Sequence, residues 1–331
     1  MITQFFSESI EQLDLTLDQL ALNDRNYDRF ALMLIDNVVE LTLHKYAQQF
    51  AHNSFFMKKI YKKDFDPNDV QKALGQYFDE KVKFANKTGL INKQICESIL
   101  CLHAFRNTSH HRGLRHERIL HSLTIFYFRN VCRLLKSFDP ILWYRSSDEI
   151  ISYRARKYVG NFSHGELKDV KISAFDRLNH VADNLEWQLT KDLSNDMKNI
   201  IEDINYDLDF LTENTHEILS RKDAIIDSQA RDFVFTKKEK IFSLQKEMKM
   251  NSINELIAWL KINYNWKYKK DPIPSWWRRH KSLFDEKDLH KALKKYCDFM
   301  KQTENIRNVI SESAEGLDAY IQHQTDLIRG K

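Results

Sequence analysis

The chain has 331 residues, of which only 7 are Gly and 4 are Pro. Average usage is roughly 7% and 5%, and these two residues set the dihedrals of tight turns, so turn-rich sandwiches, barrels and dinucleotide-binding sheets are disfavoured. With 30% charged and 42% hydrophobic residues and a net charge of +4, the composition fits neither a disordered chain nor a membrane-embedded one. Runs of Leu, Ile, Lys, Glu and Gln favour helix, and an all-α protein is expected.

The length suggests two domains. No run of about 18 apolar residues occurs, so no membrane span is expected. The N-terminal MITQFFSESIEQLDL lacks the basic start and apolar stretch of a signal peptide. Cys96, Cys101, Cys132 and Cys297 form no C-x-x-C pair, which points to reduced thiols and a cytoplasmic protein.

Taken in chain order, the first predicted helix covers about 3–22, and a strongly apolar one containing FALMLIDNVVELTL covers about 26–50. A third is expected over about 68–87, before Gly89. Ile91, Ile95, Ile99, Leu102 and Phe105 then recur on one helical face. After Gly113 another helix carries Leu120, Leu123, Tyr127, Val131 and Leu134. The stretch Lys136–Pro140 closes it, which places the domain boundary near residue 140. Residues 1–140 therefore read as an antiparallel helical bundle with short connections.

The C-terminal domain, 141–331, reads differently. Leu185, Leu189, Leu193, Met197, Ile200, Ile204, Leu208 and Leu211 repeat at steps of three and four with no Pro or Gly between them. The spacing predicts one long amphipathic arm over about 174–222, packed on a partner helix or a second subunit. Residues 229–262 are expected to return along it.

Charge is segregated along the chain. Residues 103–136 carry seven Lys/Arg against one acid, and 182–213 carry nine acids against two lysines. The segment 261–281 has seven Lys/Arg against Asp271 alone, interleaved with Tyr264, Trp266, Tyr268, Trp276 and Trp277. Such a segment suits single-stranded RNA, with rings stacking on bases and cations on phosphates. Equally, its tryptophans suit a core around the Pro272–Pro274 turn. The acidic stretch is a solvated face or a cover for a basic groove.

The stretch with the most chemistry is LHAFRNTSHHRG, residues 102–113. Histidine moves a proton near neutral pH, and arginine is a fixed cation suited to charge developing on a phosphate. Arg106 and His111 could thus cleave RNA without a metal, with Asn107 orienting the imidazole or holding a phosphate oxygen. On a straight helix Arg106 and His111 point about 140° apart, whereas Arg106 and His110 share a face. An irregular helix end, a cleft that wraps around it, or a second subunit would each reconcile the first pair. Glu40, on the apolar helix, would be costly to bury unless paired, either with an Arg of the motif helix or at the rim. His116 and His121 are one residue too far apart for the H-E-x-x-H zinc motif. No metal or cofactor is expected, and no nucleotide-binding glycine loop is present.

R-N-x-x-x-H after an apolar helix, followed by R-G and another apolar helix, resembles the R-x4–6-H signature of HEPN-domain ribonucleases, and LIDNVVELTLHKY is similar to their early helices. The resemblance spans about residues 20–138. It implies a helical bundle that dimerises to unite two motifs in one cleft, and a metal-independent endoribonuclease. Arg106 and His111 would be the catalytic pair, with Asn107 beside them and Glu40 and His110 in support. It also implies toxin or antiviral-defence roles, with a regulatory or antitoxin protein as partner. Gly113 stands where a Tyr is found in members paired with a nucleotidyltransferase.

The function expected is therefore cleavage of single-stranded or tRNA-like RNA by 2′-hydroxyl attack, leaving a 2′,3′-cyclic phosphate. Arg112, Arg115 and Arg118 would contact RNA, the chain would be a homodimer, and no membrane would be involved. The competing reading is a non-catalytic helical module for RNA or protein binding or dimerisation.

Overall fold

The computed structural model describes residues 2–52, 57, 65–111, 117–141, 151–160, 166–215, 218–237, 241 and 252–330; of residues 2, 108–111 and 117 it describes the backbone alone. Among the described residues there are thirteen α-helices and no strand. The chain divides into two compact units, one comprising Met1–Leu193 with Lys287–Lys294, the other Ser194–Glu286 with Lys295–Lys331.

The first unit begins with α1 (Ile2–Leu20) and α2 (Arg25–His52). Between them Asn23 takes a left-handed φ of 46°, which its short polar side chain tolerates, and the Asp24 carboxylate accepts from the Asn26 amide at 2.9 Å. From α1, Phe6, Ile10, Leu13, Leu17 and Leu20 are buried at helical spacing, against Leu32, Ile35, Val39, Leu43 and Tyr46 of α2. The helix expected over 68–87 is two, α3 (Pro67–Leu74) and α4 (Phe78–Thr88). The break falls at Gly75, a poor helix former, whose carbonyl accepts the buried Lys81 ammonium. Gly89 ends α4 in the left-handed region, at φ 87°.

Helices α5 (Lys93–His111) and α6 (Glu117–Ser137) follow. On α6 Ile119, Leu120, Leu123, Ile125, Phe126, Tyr127, Phe128, Val131, Cys132, Leu134 and Leu135 are all buried. A helix apolar nearly all round belongs at the centre of its bundle, and α6 packs on α1, α2, α5 and a later helix, α8 (Leu167–Asp183). The short α7 (Tyr153–Val159) docks on α1 through one buried carboxylate. Asp14 accepts from Tyr158 Oη at 2.6 Å, Arg154 Nη1 at 2.7 Å and Lys157 Nζ at 3.2 Å. Burial alone would raise its pKa; these three donors outweigh it and hold the carboxyl below the usual value of 3.8.

Lys171 of α8 is buried and donates to the carbonyls of Lys136 and Phe138 at 3.1 and 2.7 Å, under the Phe6 ring. Burial pushes its ammonium down to about 8. Its place at the C-terminus of α6 suits a cation, because the last carbonyls of a helix lack amide partners. Since α7 and α8 pack on α1 and α6, the first compact unit runs well past Pro140.

The single arm expected over 174–222 is likewise two helices, α8 and α9 (Leu189–Asn214). No Gly or Pro separates them; tertiary contacts do. Leu185 and Trp187 pack on the buried cluster of Leu20, Ala31 and Ile125. Ser122 accepts from the Gln188 amide at 3.2 Å, and Arg129 sits 5.6 Å from the Trp187 ring centre.

The second unit holds most of α9, then α10 (Arg221–Thr236), α11 (Ile253–Asn263), α12 (Ile273–Phe284) and most of α13 (Leu289–Ile328). Met197, Ile201, Ile204 and Leu208 of α9 are buried, and Asp207 accepts from Ser311 of α13 at 2.7 Å. The acidic stretch therefore serves in part as a core helix, and at its start Asp183 pairs with Arg129 and Asp192 accepts from Ser122, both in the basic stretch 103–136. Residues 229–262 divide between α10 and α11, which share Ala230, Val234, Leu256, Ile257 and Leu260. Trp266 and Trp276 are buried, as a core role requires.

Burial lowers the pKa of three histidines, His44, His280 and His290, below 6.5. Each takes a proton less readily in the folded chain than in the unfolded one. Their contribution is thus complete above pH 6.5 and lost as the pH falls through it. Urea unfolding at pH values of about 7.5, 6.5 and 5.5 should show stability falling stepwise. His290→Gln, which keeps a partner for Ser98 (2.8 Å away), should reduce that fall; an unchanged pH dependence in the variant would contradict the assignment.

Candidate functional site

The motif helix is built as its sequence demands. Asn92 caps α5 by accepting from the Ile95 amide at 2.9 Å. Ile99, Leu102 and Phe105 are buried on its inner face, with Ile91 just before it, while Ile95 is half-buried. His103 and Arg106, three residues apart, lie on neighbouring positions of one face. Both reach Asp36 of α2.

Asp36 is only 2% exposed and is the hub of the site. His103 Nδ1 donates to it, 3.0 and 2.9 Å from its two oxygens. Tyr127 of α6, fully buried, donates its hydroxyl to Oδ1 at 2.9 Å. Arg106 Nε lies 3.5 Å from Oδ2, an ion pair too long to count as a hydrogen bond. The Arg106 Nη1 then donates to Asn107 Oδ1 at 2.9 Å. On its other side the His103 ring stacks on Phe78 of α4, 3.8 Å between centroids and 9° between planes. Four helices thus fix one carboxylate, one imidazole and one guanidinium.

The electrostatics follow from burial. A carboxylate this far inside needs partners, because an unpaired buried charge costs several kcal/mol. Burial, the Asp36 charge and the hydrogen bond to it together push the Tyr127 hydroxyl well above its usual pKa, so it remains a donor. Bonding through Nδ1 fixes the His103 tautomer and leaves Nε2 as its other polar atom. Arg106 is about a third exposed, with a side-chain exposure of 32%, and its Nη2 has no partner among the described residues.

The residues expected from sequence are only partly brought together. Arg106 and Asn107 form the contact just described. His110 and His111 lie on the last turn of α5, whose backbone is helical through His111; the helix therefore separates Arg106 and His111 by about 140° around its axis and Arg106 and His110 by about 40°. Arg112, Arg115, Gly113 and His116 lie outside the described residues. Arg118 is exposed on α6. Glu40 joins neither Arg106 nor His103; it is half-exposed and pairs with Lys81 at 3.4 Å. Asp36, His103 and Tyr127 are the members that sequence reasoning missed. Among the described residues no group of three or more His, Cys, Asp or Glu side chains is placed to hold a metal ion, and no helix is long and apolar enough to cross a membrane.

No family model, curated protein or solved structure matches the chain. The functional reading therefore rests on the residues themselves.

Removing one partner from a buried ion pair costs about 3–5 kcal/mol. Asp36→Ala should therefore lose about 3 kcal/mol or more of unfolding free energy in urea, whereas Glu40→Gln, at a half-exposed pair, should lose about 1 kcal/mol or less. Equal losses would show that Asp36 is not the hub.

Proposed function

We propose that the first unit is a metal-independent endoribonuclease of HEPN type, acting as a homodimer on single-stranded or tRNA-like RNA. The observation that supports this is Arg106 of the R-N-x-x-x-H stretch, held at a helix end by a buried carboxylate with part of its guanidinium exposed. A guanidinium so fixed costs little reorganisation when charge develops on a phosphate.

In this reading a motif histidine, His111 or His110, removes the proton of a ribose 2′-hydroxyl. The 2′-oxygen attacks the adjacent phosphorus, and the bond to the 5′-oxygen breaks. A 2′,3′-cyclic phosphate stays on one fragment, and the departing 5′-oxygen takes a proton to leave a hydroxyl on the other. Arg106 stabilises the charge on the phosphoryl oxygens in the transition state, and Asn107 positions Arg106 through their hydrogen bond. Asp36 acts one step back, orienting Arg106 and His103. A cleft using His111 with Arg106 forms at an irregular helix end near Gly113, wraps around α5, or draws the second member from a partner subunit. Along α2, Phe30, Leu34, Asn37 and Leu41 form one stripe, with Phe30 56% and Leu41 41% exposed, a face suited to such self-association.

One observation favours the non-catalytic reading. Asp36 is already satisfied by His103 and Tyr127 and pairs with Arg106, as a carboxylate in a purely structural polar network is. Incubation of purified protein with mixed cellular RNA in EDTA separates the two. The nuclease reading predicts fragments ending in 2′,3′-cyclic phosphate, a rate about 10²–10³-fold lower in Arg106→Ala, and a comparable loss in His111→Ala or His110→Ala. No cleavage by folded wild-type protein, or cleavage indifferent to all three variants, would overturn it. A monomer at every concentration in sedimentation would overturn the dimer.

A further inference from the structure

The second unit carries a basic tract that the proposed cleavage chemistry does not use. Of the seven cations in 261–281, two are absorbed by the fold. Lys261 pairs with Asp227 at 2.9 Å, and Arg279 lies 5.3 Å from the Phe299 ring centre, where burial lowers its pKa. The single acid of the segment, Asp271, is neutralised by Arg221 at 3.3 Å and spends its other oxygen on the Ile273 amide at the start of α12. Five cations remain exposed or on the rim: Lys267, Lys269, Lys270, Arg278 and Lys281. None makes an ion pair among the described residues; Lys267 only overhangs the Tyr268 ring at 5.3 Å.

These five are presented by a fixed backbone. Residues alternate along the segment before α12. Trp266 is buried and donates its indole N–H to the Leu260 carbonyl at 3.0 Å. Gln229, buried on α10, brackets the Tyr268 backbone, donating to its carbonyl at 2.7 Å and accepting from its amide at 3.3 Å. The Tyr268 hydroxyl donates to the Gln302 carbonyl at 3.1 Å. With Trp266 and Tyr268 anchored, Lys267, Lys269 and Lys270 are left on the outside. The chain then enters α12, where Ile273, Trp276 and Leu283 face the core and Arg278 and Lys281, one turn apart, face solvent.

We propose that Lys267, Lys269, Lys270, Arg278 and Lys281 form a sequence-independent docking tract for the phosphate backbone of a nucleic acid. A row of unpaired cations with no uncompensated acid among them is the electrostatic footprint of such binding. Specific stacking is not part of it, because Trp266 and Trp276 are committed to the core. An anionic membrane fits less well. Insertion needs a free apolar helix face, and on α12 Ile273, Trp276 and Leu283 are buried in its own unit, leaving Phe284 exposed at the helix end. The tract does not depend on the nuclease reading; a purely RNA-binding protein would use it equally.

The test is fluorescence anisotropy with the full chain and a labelled single-stranded RNA of about 20 nucleotides, over salt from about 50 to 300 mM. The RNA is 2′-O-methylated, so it cannot be cut by 2′-hydroxyl attack, and the outcome is separate from the fate of Arg106. Each phosphate contact contributes about 0.7 to the slope of log affinity against log salt for a single strand. The variant Lys267→Gln/Lys269→Gln/Lys270→Gln/Arg278→Gln/Lys281→Gln should lose about 3.5 from that slope and at least tenfold in affinity at about 50 mM salt. Lys269→Gln/Lys270→Gln, confined to the exposed segment, should lose about 1.4 and keeps the test open if the larger variant fails to fold. A slope unchanged by the tract variants overturns the proposal. So does a tract-dependent capture of phosphatidylserine vesicles without any tract-dependent RNA binding.

Discussion

The arrangement of the first unit depends on one buried carboxylate. Asp36 sits inside the bundle at 2% exposure, where an anion is tolerated only if it is surrounded by donors. Its partners come from two other helices, His103 and Arg106 from α5 and Tyr127 from α6. This couples packing to chemistry. The same contact that makes the anion bearable also sets the register of α5 against α2 and aims the guanidinium. A guanidinium with a fixed direction and an exposed edge is the feature an anionic ligand exploits. The cost of such a hub is sensitivity, since loss of Asp36 leaves the buried Tyr127 hydroxyl without its acceptor.

Much of the bundle was legible in the sequence. Scarcity of Gly and Pro reported the helical class, and apolar residues at steps of three and four located α1, α2, α5 and α6 because burial of one helical face is a local, periodic signal. Breaks made by tertiary contact were not legible. No Gly or Pro lies between 174 and 215; α8 ends at Asn184, its C-cap, and Leu185 and Trp187 then pack on the cluster of Leu20, Ala31 and Ile125. The site was half legible. Arg106 and Asn107 stand out by type and spacing, whereas on α2 Glu40 draws the eye before Asp36. Its signal was nonetheless present. Leu32, Val39 and Leu43 lie four before, three after and seven after Asp36, and all three are buried, so Asp36 is an acid on the apolar stripe itself. Glu40, one turn further on, falls at the edge of that stripe beside Lys81.

The second unit shows charge being divided between structure and surface. In α9, Asp196 and Asp207 accept from Tyr296 and Ser311, so part of the acidic run serves helix packing. In the basic segment Lys261 and Arg279 are likewise taken up, and Trp266 and Trp276 go to the core. What the fold leaves outside is a shorter cationic tract on a backbone pinned by Gln229 and Tyr268. Counting charges along the sequence locates such a segment, but only the structure separates the cations used internally from those left for a ligand.

The claim that Asp36 holds Arg106 in place is tested most directly by a double-mutant cycle on folding, with Asp36→Asn, Arg106→Gln and the double variant compared in urea. Residues joined through one buried network couple by about 0.5–3 kcal/mol, and a coupling of at least about 1 kcal/mol is the result this account predicts. Additivity within about 0.3 kcal/mol would contradict it, because Arg106 would then owe its position to something other than the buried carboxylate.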